Sequence, residues 1–183
     1  MKKVFREKSG GGDVRVTSGF LRGRKLATPG SGTHPMGSRE KLALFNMISA
    51  YLMRAEVLDA FAGSGALGIE ALSRGARHVV FVEKSGGAVE AIRENLRNLD
   101  LLEDSEIFQG SVAEFLPSRK FDVVIADPPY DDFRIFEIEK LAWLVKDEGV
   151  LVLSHPGEAP ELPGFSLLKN NSYAKAHISI YVK

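Results

Sequence analysis

The run Asp127-Pro128-Pro129-Tyr130 places a carboxylate, two proline carbonyls and an aromatic ring side by side. Prolines have a fixed φ and no N–H, so the backbone here is stiff. Asp127 and the Pro128 carbonyl can accept the two N–H groups of an exocyclic amine, which frees its lone pair and stabilises the charge that grows on nitrogen. Asp127 can also take the surplus proton, and Tyr130 can stack on a base. These four catalytic candidates predict group transfer to the amino nitrogen of an unpaired nucleobase.

A glycine-rich loop is the second feature that could bind a ligand. Gly63, Gly65 and Gly68 spell G-x-G-x-x-G, and Glu83 follows near the distance expected for a ribose-binding carboxylate. The spacing is typical of a dinucleotide site, so a nicotinamide-dependent oxidoreductase is one alternative. Asp59 favours another ligand, because a carboxylate at the mouth of the loop would repel a pyrophosphate and attract the ammonium group of S-adenosylmethionine.

The predicted cofactor-binding residues of these loops are Asp59, Ala62, Gly63, Gly65, Glu83, Lys84, Ser111 and Val112. Each has a structural alternative. The glycines can simply form a tight turn, and Asp59, Ser111 and Asp127 can each cap a helix. Glu83 can be a solvated strand end, and Tyr130 a surface aromatic.

Alternating short apolar runs and amphipathic helices predict the elements that position these residues. The pattern predicts a β-hairpin near residues 14–28, a helix from a Ser38 cap to about Met53 with Leu42, Phe45, Ile48 and Leu52 on one face, and then strands and helices in turn. The strands are predicted at 56–61, 78–83, 105–110, 121–129, 149–156, 165–172 and 177–183, and the helices at 66–75, 86–99, 112–116 and 133–145. We therefore expect an α/β fold with a Rossmann-like, doubly wound sheet of about seven strands, closed by an antiparallel pair.

Composition excludes several classes of site. The 183 residues include no cysteine, and the four histidines lack metal-ligand spacing, so no metal site is expected. No apolar run approaches a membrane span, and the N-terminus does not read as a signal peptide, so we expect a cytoplasmic protein without membrane contact.

The formal net charge is zero but unevenly distributed. Residues 1–25 carry eight basic and two acidic residues, a net charge of +6, and the remainder carries −6. This asymmetry predicts an arm that meets a polyanion, with a solvated tail as the alternative. The RNA-binding candidates in the arm are Arg15, Arg22, Arg24 and Lys25.

The chain resembles the bacterial 16S rRNA (guanine-N2)-methyltransferases from Val14 onward. The resemblance is carried by four stretches: Arg15-Val16 and Gly19 with Arg22-Gly23-Arg24-Lys25-Leu26; Pro35 to Asn46; Leu58 to Gly75; and Asp127-Pro128-Pro129-Tyr130. Where family members commonly have Arg-Pro-Thr and then Asp-Arg, this chain has His34-Pro35-Met36 and Ser38-Arg39.

The resemblance implies a seven-stranded S-adenosylmethionine methyltransferase sheet with an N-terminal β-hairpin that helps to hold RNA. It implies that guanine N2 of small-subunit rRNA is the acceptor, as free RNA or in an assembling 30S particle, and that the segment before the first helix covers the cofactor. Arg39 would bind the cofactor carboxylate. We expect a flexible tail over 1–13, the hairpin and helix over 14–54, a methyltransferase domain over 55–183, and a monomer.

Three alternatives remain open from the residues themselves. The Asp-Pro-Pro-Tyr chemistry also suits an enzyme acting on an exocyclic amine of another RNA base, of DNA or of protein. The glycine loop leaves the oxidoreductase open, and the basic arm is compatible with a non-catalytic RNA-binding domain.

Overall fold

The fold is seen in a computed structural model, which describes residues 13–29, 36–173 and 176–183. The predicted flexible tail up to residue 12, most of the loop after Pro29, and the pair His34-Pro35 lie outside the described residues. The helices are α1 (Ser38–Met47), α2 (Ala66–Ser73), α3 (Gly86–Asn98) and α4 (Ile135–Trp143), with 3₁₀ turns at Ser49–Tyr51 and Tyr130–Asp132. The strands are β1 (Glu56–Ala60), β2 (His78–Glu83), β3 (Ser105–Gln109), β4 (Phe121–Ala126), β5 (Val145–His155), β6 (Ser166–Tyr173) and β7 (Ala176–Val182).

The seven strands form one sheet in the order β3-β2-β1-β4-β5-β7-β6. Strands β1 to β5 are parallel, and β7 runs antiparallel to both β5 and β6. The predicted α/β architecture and the antiparallel closing pair are therefore confirmed. Buried side chains of α1, α2 and α3 cover one face of the sheet, and those of α4 cover the other.

Residues 14–28, which form the arm in the structure, turn back on themselves, but they are not a regular hairpin. A single antiparallel bridge joins Arg15 and Lys25. The amides of Thr17 and Ser18 bind the Glu70 carboxylate, and the amides of Phe20 and Leu21 bind Ser73. Backbone N–H groups that a longer ladder would pair thus go to α2, and the arm is pinned to the sheet domain.

The first helix differs from its prediction at both ends. Its N-cap is Gly37 and not Ser38, and the Gly37 amide donates to Glu40 Oε2 at 2.9 Å. The helix ends at Met47, and a 3₁₀ turn follows. Leu42, predicted on the buried face, is 40% exposed, whereas Leu44 is fully buried.

The predicted short helix over 112–116 is a turn. Its five residues end against Pro117, which leaves no room for a further helical turn. No helix in the described part of the chain has the length and apolar character needed to cross a membrane.

Candidate active site

A cavity of about 920 Å³ opens at the carboxyl ends of the parallel strands, where ligands bind in such sheets. Its walls are the segments that follow β1, β2, β3 and β4, together with parts of β5 and α1. They include the predicted residues Ala62, Gly63, Glu83, Lys84, Ser111, Val112, Asp127, Pro128, Pro129 and Tyr130. Ten residues predicted from four separate stretches of sequence therefore share one cavity.

The loop after β1 is shaped by backbone conformations that favour glycine. Gly63 and Gly65 have φ of 56° and 76°, and Phe61 also lies in the left-handed region with φ of 62°. Gly68 serves packing instead, because a Cβ there would lie 2.3 Å from Phe81 Cε1. The third glycine of the motif thus lets α2 approach β2 closely.

Glu83 at the end of β2 is held firmly in place. One carboxylate oxygen accepts the Gly63 amide at 2.8 Å, and the other accepts the Ser85 amide at 2.7 Å. A carboxylate offers about four lone pairs, so it can still accept the hydroxyl groups of a ribose.

Asp59 does not lie at the mouth of the loop. It is buried, it accepts the amide of Gly68 in the first turn of α2 at 2.8 Å, and it is not among the residues that line the cavity. Burial raises the pKa of Asp59 well above its usual value, against the effect of the Gly68 hydrogen bond. Its observed contact is the helix-capping alternative considered for this residue.

The cavity as a whole has the charge that suits a cationic ligand. Its side chains include six acids, Glu40, Glu83, Asp127, Asp131, Asp132 and Glu137, and three bases, Lys41, Lys84 and Arg134. The bases face carboxylates: Lys41 lies 3.4 Å from Glu70, and Arg134 and Lys84 lie 2.8 and 3.9 Å from Asp132. S-adenosylmethionine carries a sulfonium and fits this field, whereas a dinucleotide pyrophosphate would be repelled.

Three predicted cofactor-binding residues either lie outside the cavity wall or have their polar groups bound within the protein. Gly65 sets the turn but does not line the cavity, and Arg39 is exposed on α1 outside it. Ser111 lines the cavity, and its hydroxyl and amide both donate to Glu114, at 2.7 and 2.8 Å. The two donors of Ser111 therefore fix the turn after β3, and the next residue, Val112, is buried.

The Asp127 carboxyl lies where β4 ends, and Pro128 behind it is buried. The Tyr130 hydroxyl is 2.5 Å from Ser154 Oγ on β5. Burial raises the pKa of Asp127; the Ser154 hydrogen bond opposes this rise, and the negative charge of Glu40 adds to it. A carboxylate with a raised pKa is a better acceptor for a proton released in the cavity.

Two residues of this part of the cavity, Ser154 and Glu40, are absent from the sequence-based predictions. Ser154 is the penultimate residue of the buried strand β5, and the carboxyl ends of such strands are where ligands bind, so its position is a signal that the sequence offers. Glu40 is one of several charged residues in α1, and no sequence signal separates it from Arg39. In the described chain, no three His, Asp or Glu side chains cluster as a metal site would require.

The four predicted RNA-binding side chains are all exposed on the arm. Arg15 and Lys25 share Asp13 at 2.9 and 2.7 Å, and Arg24 donates to the Asn98 carbonyl at 3.1 Å. The arm is continuous with the cavity, because Thr28 at its end lines the wall.

The family model described as Conserved hypothetical protein 95 matches residues 14–182. The chain belongs to this family. Ribosomal RNA small subunit methyltransferase D of Haemophilus influenzae is 41% identical over 71% of this chain and 70% of that protein. The Bacillus subtilis protein YlbH is 32% identical over 93% of this chain and 99% of its own length. The solved structure of Escherichia coli yhhF has a TM-score of 0.85 at 28% identity and covers 94% of this chain and 98% of that one.

These likenesses confirm the predicted family and the methyltransferase type of the sheet. S-adenosylmethionine is the cofactor expected for such proteins, as predicted. The acidic lining, the fixed Glu83 carboxylate and the left-handed turn at Gly63 fit that cofactor.

Proposed function

We propose that the chain transfers a methyl group from S-adenosylmethionine to the exocyclic N2 of a guanine in small-subunit rRNA. The observation that carries the proposal is the meeting of Asp127, Pro128 and Tyr130 with the Glu83 and Gly63 loops in one acidic cavity. The coarser activity, rRNA methylation, is that of the named family relatives.

In this proposal Glu83 accepts the ribose hydroxyls and the loop at Ala62 and Gly63 contacts the methionine part. Bound S-adenosylmethionine supplies an electrophilic methyl carbon. The Asp127 carboxylate and the Pro128 carbonyl accept the two N2–H groups and keep the lone pair directed at that carbon. Tyr130, held by Ser154, stacks on the base.

The N2–C bond forms as the C–S bond breaks, which leaves S-adenosylhomocysteine. The proton lost from N2 passes to Asp127, whose raised pKa suits this role, and then to water. The guanine must be unpaired or flipped out to reach Asp127.

The basic arm is proposed to bind the RNA substrate. Arg22, exposed on the arm, and Arg24 beside it would contact the phosphates of the RNA near the target base. The predicted Lys84 and Arg39 contacts to the cofactor belong to the same proposal, with Lys84 at the rim of the cavity and Arg39 outside it.

The decisive experiment maps modified nucleotides in rRNA from cells with and without the protein. Loss of one N2-methylguanine in small-subunit rRNA, restored by the wild-type gene and not by Asp127→Asn, is the expected result. A loss of N6-methyladenine or N4-methylcytosine would assign the base differently. Unchanged rRNA would overturn the proposal.

A thermal-shift comparison separates the oxidoreductase alternative. S-adenosylmethionine should raise the melting temperature because it binds the native state alone, and NAD should leave it unchanged. Stabilisation by NAD and not by S-adenosylmethionine would reverse the cofactor assignment.

A further inference from the structure

The α1 wall of the cavity contributes a further carboxylate, Glu40, to which the proposed methyl transfer assigns no contact with the substrate. It comes from the first turn of α1 and lines the same cavity as Asp127 and Tyr130. Its negative charge acts on the pKa of both those residues. Glu40 thus lines the same cavity as the two residues proposed to hold the acceptor base.

The Glu40 carboxylate is held in place with one oxygen left over. Oε2 accepts the Gly37 amide at 2.9 Å, which anchors the side chain to the start of its own helix. Among the described residues, no salt bridge engages Glu40, and its neighbour Lys41 is turned to Glu70 and the Arg15 carbonyl. Oε1 can therefore accept a hydrogen bond from a ligand.

Two carboxylates in one cavity, Asp127 and Glu40, can select among the three bases that have an exocyclic amine. Guanine presents N1–H next to its N2 amino group, so adjacent positions of its edge are both donors. Adenine and cytosine present a lone pair next to the amino group, at N1 and N3 respectively. A carboxylate placed there is attracted to guanine and repelled by the other two bases.

We infer that Glu40 is a specificity-determining residue that accepts the N1–H of the target guanine while Asp127 accepts from N2. This inference rests on the proposed function and goes beyond it, since it derives the choice of guanine from a residue outside the Asp127–Tyr130 run. The Asp-Pro-Pro-Tyr chemistry provides for methylation of an amine, and Glu40 provides for the identity of the base.

Replacing Glu40 with Gln inverts the hydrogen-bonding character at one position. The Gln amide oxygen still accepts the Gly37 amide, so the helix start is preserved, and the amide nitrogen becomes a donor toward the base. The matched substrate is 2-aminopurine, which keeps the 2-amino group but has an acceptor at N1. The variant and the analogue therefore complement each other as the wild-type residue and guanine do.

The experiment measures kcat/KM on small-subunit RNA, free or assembled, that carries guanine or 2-aminopurine at the mapped position. Wild-type protein should prefer guanine by about 10- to 100-fold, the value of one hydrogen bond to a charged group. Glu40→Gln should lose most of this preference or reverse it. Glu90→Gln, which removes an exposed charge on α3, should keep the wild-type ratio.

The outcomes distinguish the two levels of the proposal. An unchanged ratio in Glu40→Gln, with guanine RNA still methylated, overturns the role of Glu40 and leaves the proposed function intact. A wild-type protein that methylates neither RNA overturns the proposed function itself. Equal loss on both substrates, with unchanged melting temperature, would make Glu40 a general electrostatic contributor and also contradict base selection.

Discussion

The pKa of the Asp127 carboxyl is set by effects that oppose each other. Burial and the charge of Glu40 raise its pKa, and the Ser154 hydroxyl opposes them. The Ser154 hydroxyl also lies 2.5 Å from the Tyr130 hydroxyl, so the group that lowers the pKa of Asp127 also contacts the residue proposed to stack on the base. Ser154 therefore affects both the position of Tyr130 and the basicity of Asp127.

The pH dependence of methylation follows from this environment. Asp127 must be ionised to accept N–H groups, so kcat/KM should rise with pH through a midpoint above the ordinary aspartate value of 3.8. Glu40→Gln should move the midpoint down, because a charge that raises the pKa is removed, and Ser154→Ala should move it up. A pH profile of kcat/KM for the three proteins measures this; midpoints that do not move would contradict the electrostatic coupling.

The aromatic ring of Tyr130 is expected to position the base and not the donor. Tyr130→Ala should lower kcat by about tenfold or more, the value of one base–aromatic stack, with little change in S-adenosylmethionine affinity. Tyr130→Phe keeps the ring and serves as the control for the hydroxyl. Turnover and calorimetric cofactor affinity are the measurements, and equal losses in both would count against stacking.

Glu70 on α2 holds the arm against this helix. This carboxylate is fully buried and binds Thr17, the Ser18 amide, Arg74 and Lys41. Burial acts to raise the pKa of Glu70, but these hydrogen bonds and Lys41 outweigh it and lower the pKa. The arm that carries the RNA-binding candidates is thus tied to the helix that starts at the cofactor loop.

Removing the Glu70 charge should be costly, since Lys41 would remain buried without its counter-ion. Glu70→Gln should lower the free energy of unfolding by about 3–5 kcal/mol, as expected for breaking a buried ion pair. The exposed pair Glu90–Arg93 provides a control, and Glu90→Gln should cost no more than about 1 kcal/mol. Urea unfolding compares the two variants; equal losses would show that the Glu70 cluster has no special role.

At Gly68, α2 packs too closely against β2 to leave room for a side chain. Gly68→Ala would place a methyl group 2.3 Å from Phe81 Cε1, so the helix or the ring must move. A destabilisation of about 1–3 kcal/mol is expected from overpacking, with weaker cofactor binding because α2 begins at the loop. Urea unfolding and calorimetry test it, and a neutral effect on both would show that the contact relaxes freely.

Across the whole molecule, charge is divided between an acidic cavity and a basic arm. The division suits two ligands of opposite charge, a sulfonium cofactor within and a polyanion outside. Because Thr28 belongs to the arm and also lines the cavity wall, the arm adjoins the cavity that contains Asp127.

The basic arm should govern RNA affinity separately from cofactor affinity. Arg22→Glu with Arg24→Glu should weaken RNA binding and reduce the slope of log affinity against log salt by about one for each phosphate that the arm no longer neutralises. S-adenosylmethionine affinity should not change. Arg119→Glu, at an exposed site paired with Glu106, is the control for a charge reversal outside the arm. Unchanged RNA affinity in the double variant would remove the arm from the interface.

The sequence by itself determined the sheet, the family and most of the cavity. Strand periods, helix periods and loops after strands are local properties, and the carboxyl ends of parallel strands must meet at one edge. That rule alone brought Gly63, Glu83, Ser111 and Asp127 together. The same local signals could not place the limits of α1 or pair the arm, because those depend on what packs against them.

Only the tertiary structure decided which way several polar groups turn. Asp59 was expected to face a ligand, yet its carboxyl binds the Gly68 amide. Glu40 and Ser154, far from Asp127 in the chain, join it through the packing of α1 and β5. A charged side chain finds partners through contacts between distant elements, and sequence spacing does not encode those contacts. The residues alone therefore predicted the type of chemistry. The basicity of Asp127, and the residue proposed to select the base, depended on the fold.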